Sequence, residues 1–203
     1  MIIAFVGIDG SGKTTLLSLF KKHLEKKNKD VHIIKALDPT SDFMSNYNFI
    51  RNKYISTTPE NKHDLNIIGS YIMSFDLFQQ SEKIKAMNTT NSIILLDRWA
   101  ICQQLYAKVW MAENNFANTV YSMCLIPDIT FVIDSNLDIV EQRLIARGGP
   151  NEYENMMCLR RLKRMYIKYA NEHGNAILID NNTSIDVAIQ KVIDMYERYI
   201  DKT

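Results

Sequence analysis

The N-terminal segment carries the residues whose types and spacing most directly predict chemistry. An apolar run, Ile2 to Val6, leads straight into the sequence Gly7-Ile8-Asp9-Gly10-Ser11-Gly12-Lys13-Thr14. This is the G-x-x-x-x-G-K-[ST] pattern of a phosphate-binding loop. Its glycines allow backbone N–H groups to point at an anion, because glycine adopts dihedral angles that other residues resist. The segment therefore predicts a binding site for a nucleoside triphosphate.

Side chains at the end of this loop complete the predicted site. Lys13 is placed to reach the β- and γ-phosphates, and the Thr14 hydroxyl to bind Mg²⁺. A helix is predicted to follow and to aim its positive N-terminus at the same charge. Its apolar face consists of Leu16, Leu17, Phe20 and Leu24. The residues expected to bind the triphosphate are Gly7, Asp9, Gly10, Ser11, Gly12, Lys13, Thr14 and Thr15.

A second group of candidate residues, Asp97-Arg98-Trp99, follows a later apolar run. An aspartate at the end of a strand opposite the phosphate loop can hold Mg²⁺ directly or through water. The guanidinium of Arg98 is a permanently charged fork suited to a bidentate grip on a phosphate. The alternative is structural, with Asp97 capping the strand and Arg98 as its salt-bridge partner.

Short apolar runs predict the strands that position these residues. They are residues 2–6, 31–37, 92–96, 129–133 and 176–179. Helical stretches separate them, and strands that alternate with helices favour a parallel α/β sheet covered on both faces. Ligands bind such sheets at the carboxyl ends of the strands. Asp38, Asp97 and Asp134, which end or follow three of the runs, are therefore expected to face the site.

The longest predicted helix, from about residue 60 to residue 87, lies between the second and third runs. Its apolar residues form two stripes, one of Leu65, Ile68, Ile72 and Phe75, the other of Ile67, Tyr71 and Phe78. A helix that is apolar on two sides requires two partners. The sheet is expected to be one partner, and the other is either a loop or a second copy of the chain. The second copy is favoured, which predicts a homodimer.

Two later helices are separated by a strong break. The first, Leu137 to Arg147, ends at Gly148-Gly149-Pro150. The second, Glu152 to His173, carries Arg160, Arg161, Lys163, Arg164 and Lys168. Arginines on both sides of such a hinge predict a lid, at about residues 143–156, that closes over the triphosphate. The alternative is a surface helical hairpin.

Composition sets the class of protein. A chain of 203 residues with 46% hydrophobic and 23% charged residues indicates one compact α/β domain over residues 1–203. The net charge of +1 and the mixed basic runs argue against a nucleic-acid surface. Three cysteines without metal-ligand spacing indicate a reducing, cytoplasmic environment. No basic region precedes the first apolar run, so we expect a core strand and neither a signal peptide nor a membrane span.

Taken together, these residues resemble the thymidylate kinase family of nucleoside monophosphate kinases. The similarity runs from the phosphate loop through Asp97-Arg98 and residues 127–134 to Arg143, Arg147-Gly148, Glu154, Arg161 and Tyr166. The resemblance implies a P-loop NTPase fold, with a five-stranded parallel sheet in the order 2-3-1-4-5, helices on both faces and a helical lid. It also implies ATP and Mg²⁺ as cofactors and dTMP as the acceptor.

The resemblance further implies a role for each acceptor-side residue. Asp9 would bind the 3′-hydroxyl of the acceptor and Arg98 its phosphate, while Asp97 would hold the magnesium shell. Tyr106 would crowd the sugar and disfavour a 2′-hydroxyl, and Gln103 would lie near the base. Positioning and charge neutralisation would carry the rate, because phosphoryl transfer needs little covalent chemistry from the protein.

The chain departs from the family at its arginines. Gly10 stands where one branch carries an arginine, and Asn151-Glu152 where the other has Asp-Arg in the lid. Arg143 and Arg147, four residues apart and so on one helical face, are therefore the candidates for neutralising the transferring phosphoryl group. Leu37-Asp38-Pro39 replaces Arg-Glu-Pro, which leaves Asp38 without the acceptor-phosphate arginine, and Arg51 is expected to compensate.

The base pocket departs as well. The chain reads Met73-Ser74-Phe75-Asp76-Leu77 where the family has Phe-Ala-Ala-Asp-Arg, whose phenylalanine stacks on thymine and whose arginine bonds a thymine carbonyl. Met73 can still contact a base, and Phe75 and Phe78 are alternative replacements for the stacking phenylalanine. Leu77 cannot donate a hydrogen bond. An apolar pocket discriminates weakly, so dTMP, a modified pyrimidine deoxynucleotide and another deoxynucleoside monophosphate all remain candidate acceptors.

Two other functions compete with this interpretation. A deoxynucleoside kinase also has a phosphate loop and an Asp-Arg strand, but Asp38 and Arg147-Gly148-Gly149 fit its catalytic base and its Arg-x-Arg lid poorly. A nucleotide-binding regulator with weak catalysis would account for the changed lid and acceptor arginines.

Overall fold

The computed structural model describes residues 1–57, 62–87, 92–150 and 154–201. Its strands are β1 (Ile2–Val6), β2 (Asp30–Lys35), β3 (Ser92–Asp97), β4 (Ile129–Asp134) and β5 (Ala176–Asp180). They form one parallel sheet in the order β2-β3-β1-β4-β5, which confirms the predicted fold class. The second strand ends two residues before its predicted end at Leu37, because Leu37 has a φ of 57° and such a left-handed residue leaves the strand.

Helices fill the intervals between the strands. They are α1 (Lys13–Lys26), α2 (Asp42–Thr57), α3 (Lys62–Met87), α4 (Ala100–Val109), α5 (Asn115–Met123), α6 (Leu137–Ala146), α7 (Met156–Glu172) and α8 (Ile185–Ile200). Among the described residues, no helix is long and apolar enough to cross a membrane.

The chain divides into two compact units. The first unit comprises Met1–Ile34, Thr89–Asp97 and Pro127–Thr203, and the second comprises Lys35–Asn88 and Arg98–Ile126. The first unit contains the phosphate loop, the central strands and the region predicted to form a lid, whereas the second is helical. The single kinase domain expected over residues 1–203 stays a prediction.

The core of the first unit is built on aromatic rings from β1, α1 and β4. Phe5 lies 5.9 Å from Phe20 and 5.3 Å from Phe131, measured between ring centroids. The interior strands β3, β1 and β4 are buried on both faces, as expected of a covered parallel sheet. The predicted apolar face of α1 is confirmed, since Leu16, Leu17, Phe20 and Leu24 are all buried. This packing fixes α1 directly behind the phosphate loop.

The second unit is organised around α3, whose buried face differs from the predicted stripes. Ile68 and Phe75 are exposed, whereas Leu65, Leu77 and Ile84 are buried. Small residues complete the buried face, namely Gly69, Ser70, Ser74 and Ser81. Because small side chains let helices approach closely, the helix buries these small residues beside Leu65, Leu77 and Ile84 and leaves Ile68 and Phe75 exposed.

The two lid-flanking helices have the expected break between them. Helix α6 ends at Ala146, and Gly148 and Gly149 follow with φ angles of 114° and 97°. Helix α7 begins at Met156, where the Asn155 side chain accepts a hydrogen bond of 2.8 Å from the Met157 N–H. The predicted start at Glu152 and the departure at Asn151-Glu152 lie outside the described residues.

Candidate active site

The phosphate loop joins β1 to α1 and depends on its glycines. Gly7, Gly10 and Gly12 have φ angles of 141°, 76° and 92°, a region that favours glycine. A Cβ on Gly7 would lie 2.5 Å from the Ile133 carbonyl oxygen, so the loop passes directly over the end of β4. The loop thus has the backbone freedom that an anion cradle requires, and Gly12 caps the N-terminus of α1.

Lys13 is held inside this loop. Its side chain is buried, with the residue 6% exposed, and Nζ donates a hydrogen bond of 2.7 Å to the Ile8 carbonyl oxygen. The ammonium group is therefore already within the loop, where an anionic phosphate would meet it at close range. Thr15 is exposed on the first turn of α1.

Thr14 and Asp97 come together at the carboxyl end of the sheet. Thr14 Oγ1 donates a hydrogen bond of 3.1 Å to Asp97 Oδ2, and both side chains are accessible. A hydroxyl and a carboxylate oxygen at this separation are the hard ligands that Mg²⁺ prefers. No group of three or more His, Cys, Asp or Glu residues suited to a metal occurs in the described ranges. The pair is consistent with Mg²⁺ because this ion is commonly held by one or two protein ligands together with substrate phosphates.

Arg143 lies against the phosphate loop. Its Nη1 atom donates to the Gly10 carbonyl oxygen at 3.2 Å and to Ser135 Oγ at 3.3 Å. Helix α6 therefore contributes a permanent positive charge beside the loop. Ser135, which follows β4, was missed by the sequence reasoning because no motif marks a residue that supports an arginine.

Arg147, at the end of α6, contacts a different partner. Its Nη2 atom donates to Glu154 Oε1, and this hydrogen bond raises the pKa of the guanidinium, with a smaller electrostatic contribution from Asp9. The Arg147 side chain is 56% exposed, whereas that of Glu154 is 3% exposed. A buried carboxylate thus anchors an exposed arginine of the predicted lid. Glu154 appeared only as a family match in the sequence, without an assigned role.

Three basic residues of α7, namely Arg160, Lys163 and Arg164, lie near the start of α6. Lys163 Nζ lies 2.5 Å from Asp134 Oδ1 and donates 2.8 Å to the Ser135 carbonyl oxygen. Asp134, expected to face a ligand, is therefore occupied by an ion pair. Arg160 and Arg164 line a cavity of about 360 Å³ against the N-terminus of α6, together with Lys163.

Predicted acceptor-side residues lie in the second unit, beginning with Arg98. This residue has a φ of 71°, and its guanidinium carbon lies 5.6 Å from the ring centroid of Tyr106. Such a cation–π contact holds the guanidinium over the ring. Gln103 and Tyr106 lie one turn apart on α4, and both are partly exposed.

The Asp38 side chain forms hydrogen bonds within the turn that follows β2. Its Oδ1 atom accepts hydrogen bonds from the Thr40 backbone N–H at 2.9 Å and from the Thr40 hydroxyl at 2.7 Å. These bonds, the backbone one above all, lower the pKa of the Asp38 carboxyl group. One oxygen of this predicted acceptor residue therefore stabilises the local turn.

The predicted base-pocket residues occupy different environments. Arg51 on α2 and Met73 on α3 are partly exposed, whereas Leu77 is 0% exposed in the core of the second unit. Asp76 is also buried and accepts hydrogen bonds from Ser41 Oγ at 2.6 Å and Gln80 Nε2 at 2.8 Å. Leu77 therefore serves the packing of α3 in place of the arginine that the resemblance implies for base recognition.

Comparisons with known proteins agree with this geometry. The family model described as thymidylate kinase matches residues 5–192. A probable thymidylate kinase of Pyrobaculum aerophilum is 23% identical over 98% of this chain and 97% of its own length. The thymidylate kinase of Thermosipho africanus is 26% identical over 98% of this chain and 99% of its own length.

Solved structures show the same fold. The thymidylate kinase of Candida albicans, described as having broad substrate specificity, superposes with a TM-score of 0.73 at 18% identity, over 97% of this chain and 91% of its own. That of Ehrlichia chaffeensis has a TM-score of 0.69 at 19% identity, over 97% and 98%.

Proposed function

The chain belongs to the thymidylate kinase family, and we propose on this basis that it transfers a phosphoryl group from ATP to dTMP, producing dTDP. The observation that carries the proposal is the phosphate loop with Lys13 already inside it, in a chain whose family match covers residues 5–192. The protein is thus a phosphotransferase that acts on small nucleotide substrates.

The first unit supplies the residues for the donor. We assign the triphosphate to the loop amides and to Lys13, with Ser11 and Thr15 flanking it. When bound, Mg²⁺ would be held by Thr14 and Asp97 and would neutralise part of the phosphate charge. Arg143, beside the loop, and Arg147, within the electrostatic reach of Asp9, supply the remaining positive charge.

The second unit carries most of the residues assigned to the acceptor. Arg98 is assigned to its phosphate, Tyr106 to exclusion of a 2′-hydroxyl and Gln103 to the base edge. Arg51, Asp38 and Met73 complete this set, while Asp9 of the first unit is assigned to the 3′-hydroxyl. The cation–π contact between Arg98 and Tyr106 supports this assignment. It holds the residue assigned to the acceptor phosphate next to the residue assigned to the acceptor sugar.

A panel assay tests this function and the base preference together. ATP and Mg²⁺ are supplied with dTMP, dUMP, 5-substituted dUMPs, dCMP, dGMP, dAMP or thymidine, and ADP is measured. We expect dTMP to be preferred. Preference for another monophosphate would make Met73 and Leu77 the specificity switch, because the buried Leu77 offers no hydrogen bond to thymine.

Two outcomes of the same assay would contradict the proposal. Turnover of thymidine alone would indicate a deoxynucleoside kinase and would remove the role of Arg98 on an acceptor phosphate. ATP binding without turnover of any acceptor, tested in a single-turnover experiment, would indicate a nucleotide-binding regulator.

We also propose a homodimer formed through exposed aromatic residues of the second unit. Phe75 on α3 is 42% exposed and lies 6.4 Å from Phe43 and 5.7 Å from Phe116, between ring centroids. Tyr71 lies 5.6 Å from Phe116. We call Phe43, Tyr71, Phe75 and Phe116 the aromatic cluster. Exposed apolar residues that are contiguous favour an interface over scattered surface residues.

The proposed location is the cytoplasm. Its support is chemical, since Cys102, Cys124 and Cys158 are all free thiols.

A further inference from the structure

One carbonyl of the phosphate loop is held by residues that follow two different strands. The Ser11 carbonyl oxygen accepts a hydrogen bond from Asn181 Nδ2 at 2.7 Å. Ser135 Oγ lies 3.1 Å from the same oxygen and 3.2 Å from the Asn181 carbonyl oxygen. Ser11, Ser135 and Asn181 are all buried. The residues just beyond β4 and β5 therefore meet at one peptide group of the loop.

The Asn181 side chain is closely fitted to this peptide group. A Cβ on Gly12 would lie 2.3 Å from Asn181 Nδ2, so the amide occupies the space beside that glycine. The Asn181 backbone is fixed too, since its N–H donates 2.8 Å to the Asp134 carbonyl oxygen. The reverse amide orientation would place two oxygens against each other, so the Ser11 carbonyl selects the NH₂ end.

We propose that Asn181 is a positioning residue that aims the Gly12 N–H at the phosphates of the bound nucleotide. The C=O of Ser11 and the N–H of Gly12 belong to one planar trans peptide, in which the two groups point in opposite directions. A donor that fixes the carbonyl therefore also fixes the N–H. Gly12 has a φ of 92° and no side chain of its own to restrain it.

The energetic consequence concerns preorganisation. A loop whose N–H groups already point inward loses less conformational freedom when an anion binds, so more of the interaction energy becomes affinity. Without the Asn181 amide, the buried Ser11 carbonyl would lose a donor and the peptide would be freer to turn. Phosphate affinity, rather than adenine affinity, is the quantity that should change.

This inference rests on the proposed function in one respect, namely that the ligand of the loop is ATP. It does not involve the acceptor, so it can be tested by binding alone. The experiment titrates the full chain with N-methylanthraniloyl-ATP and Mg²⁺ in the absence of any acceptor. Competition with inorganic tripolyphosphate, which has no base or sugar, then isolates the phosphate contacts.

Two substitutions separate the hydrogen bond from the volume of the side chain. We expect Asn181→Ala to raise the Kd for both ligands about tenfold, because a buried carbonyl loses its amide donor. Asn181→Leu has nearly the shape of asparagine but no donor, and we expect it to bind as weakly as Asn181→Ala. Recovery of wild-type affinity in Asn181→Leu would overturn the hydrogen-bond role.

Asn175→Ala is the matched control. The Asn175 side chain donates 2.9 Å to the Pro127 carbonyl oxygen just before β5, at the opposite end of the strand from Asn181. Asn175→Ala removes a similar hydrogen bond between a side-chain amide and a backbone carbonyl, but this bond does not involve the phosphate loop. ATP affinity should therefore equal that of the wild type. Equal weakening in Asn175→Ala would show a general loss of stability and overturn the positioning role.

The remaining outcomes are also decisive. An unchanged Kd in both Asn181 variants would overturn this inference but leave the proposed function intact, whereas a wild-type chain that does not bind ATP would overturn the proposed function itself. If the Asn181 variants do not fold, Ser135→Ala removes the second donor near the same carbonyl. Because Ser135 Oγ also accepts a hydrogen bond from Arg143, the substitution is made in an Arg143→Ala background. We expect it to weaken tripolyphosphate binding severalfold relative to Arg143→Ala alone, and unchanged binding would refute the role of this peptide group.

Discussion

Arg143 and Arg147 lie four residues apart, but their guanidinium groups serve different partners. Arg143 donates 3.2 Å to a loop carbonyl, whereas Arg147 is anchored by the buried carboxylate of Glu154. The first contact ties α6 to the phosphate loop, and the second ties the end of α6 to the start of α7. We therefore expect loss of Arg143 to affect ATP binding as well as turnover, and loss of Arg147 to affect mainly turnover.

Alanine substitutions test this division of roles. Arg143→Ala should lower kcat more than tenfold and raise the KM for ATP, because the Gly10 carbonyl loses a donor. Arg147→Ala should lower kcat by roughly 10³, with a smaller change in KM. This factor is the low end of the range by which an arginine that neutralises the transferring phosphoryl group raises kcat. Initial rates with dTMP over a range of ATP concentrations give both constants.

The control for this pair is Arg160→Ala, which removes an arginine from a separate cavity and should leave both constants unchanged. Glu154→Gln adds a graded test, since glutamine keeps an acceptor but not the charge, and it should fall between the wild type and Arg147→Ala. If neither arginine substitution lowers kcat more than tenfold, these residues do not stabilise the transferring phosphoryl group.

Tyr106 should select deoxyribose through its ring. Tyr106→Ala removes both the steric barrier and the cation–π contact at 5.6 Å. We expect ribonucleotide acceptors to compete after this change, with the preference for dTMP over its ribose counterpart reduced at least tenfold. The measurement is kcat/KM for the two acceptors.

Tyr106→Phe keeps the ring and the contact with Arg98, so it should retain the wild-type preference. Unchanged selectivity in Tyr106→Ala would refute the steric role.

At the level of single residues, the sequence predicts what a motif encodes and little else. The phosphate loop could be identified because its glycines and Lys13 are contiguous. Asn181 could not be assigned, because its role depends on a hydrogen bond to a residue far away in the chain. Glu154 could not be assigned either, because its partner Arg147 lies on the other side of the Gly-Gly-Pro break, where helical spacing no longer predicts which side chains meet. Asn181 contacts Ser11 across 170 positions, and no local spacing reports such a contact.

Helix α3 contacts α2 through a glycine. The Tyr47 hydroxyl donates 3.1 Å to the Leu65 carbonyl oxygen, and its ring lies over Gly69. A Cβ on Gly69 would lie 2.5 Å from Tyr47 Oη and 2.9 Å from Cζ. The close approach of these two helices therefore depends on the missing side chain.

Gly69→Ala should destabilise the protein even though alanine is the better helix former. Alanine favours a helix by about 1 kcal/mol over glycine. The clash with a buried, rigid ring should cost more, so we expect a net loss of about 1–2 kcal/mol. Urea unfolding followed by circular dichroism measures this free energy.

Gly174→Ala is the matched substitution, because nothing lies within 4 Å of the added Cβ. It should leave the free energy of unfolding unchanged or slightly raised. A gain of stability in Gly69→Ala would show that Tyr47 moves aside at no cost.

At the level of elements, the sequence predicts those whose buried residues are large and apolar. Strands β1, β3 and β4 are continuous apolar runs buried on both faces, so hydrophobicity alone identified them. The buried face of α3 could not be found in this way, because Gly69, Ser70, Ser74 and Ser81 give no apolar signal. The large residues Ile68 and Phe75 were predicted to lie on an apolar stripe with a packing partner, and both are exposed.

At the scale of the whole molecule, the aromatic cluster predicts the oligomeric state. We expect the wild type to be a dimer by light scattering after size-exclusion chromatography. Phe75→Glu should yield a monomer, because a charge within the interface would be desolvated on association. Val187→Glu, at a residue 45% exposed on α8, places the same charge on another apolar surface position and should remain dimeric. A monomeric wild type would refute the homodimer.

The three free thiols differ in accessibility, which allows one of them to be labelled selectively. Cys102 and Cys124 are buried, and burial raises the pKa of Cys124 to about 11, so little reactive thiolate forms at neutral pH. Cys158 is partly exposed in the first turn of α7, close to Glu154 in the chain. A maleimide dye should therefore attach first to Cys158. The natural chain thus carries its own attachment point for an optical reporter beside the predicted lid, without any engineered cysteine.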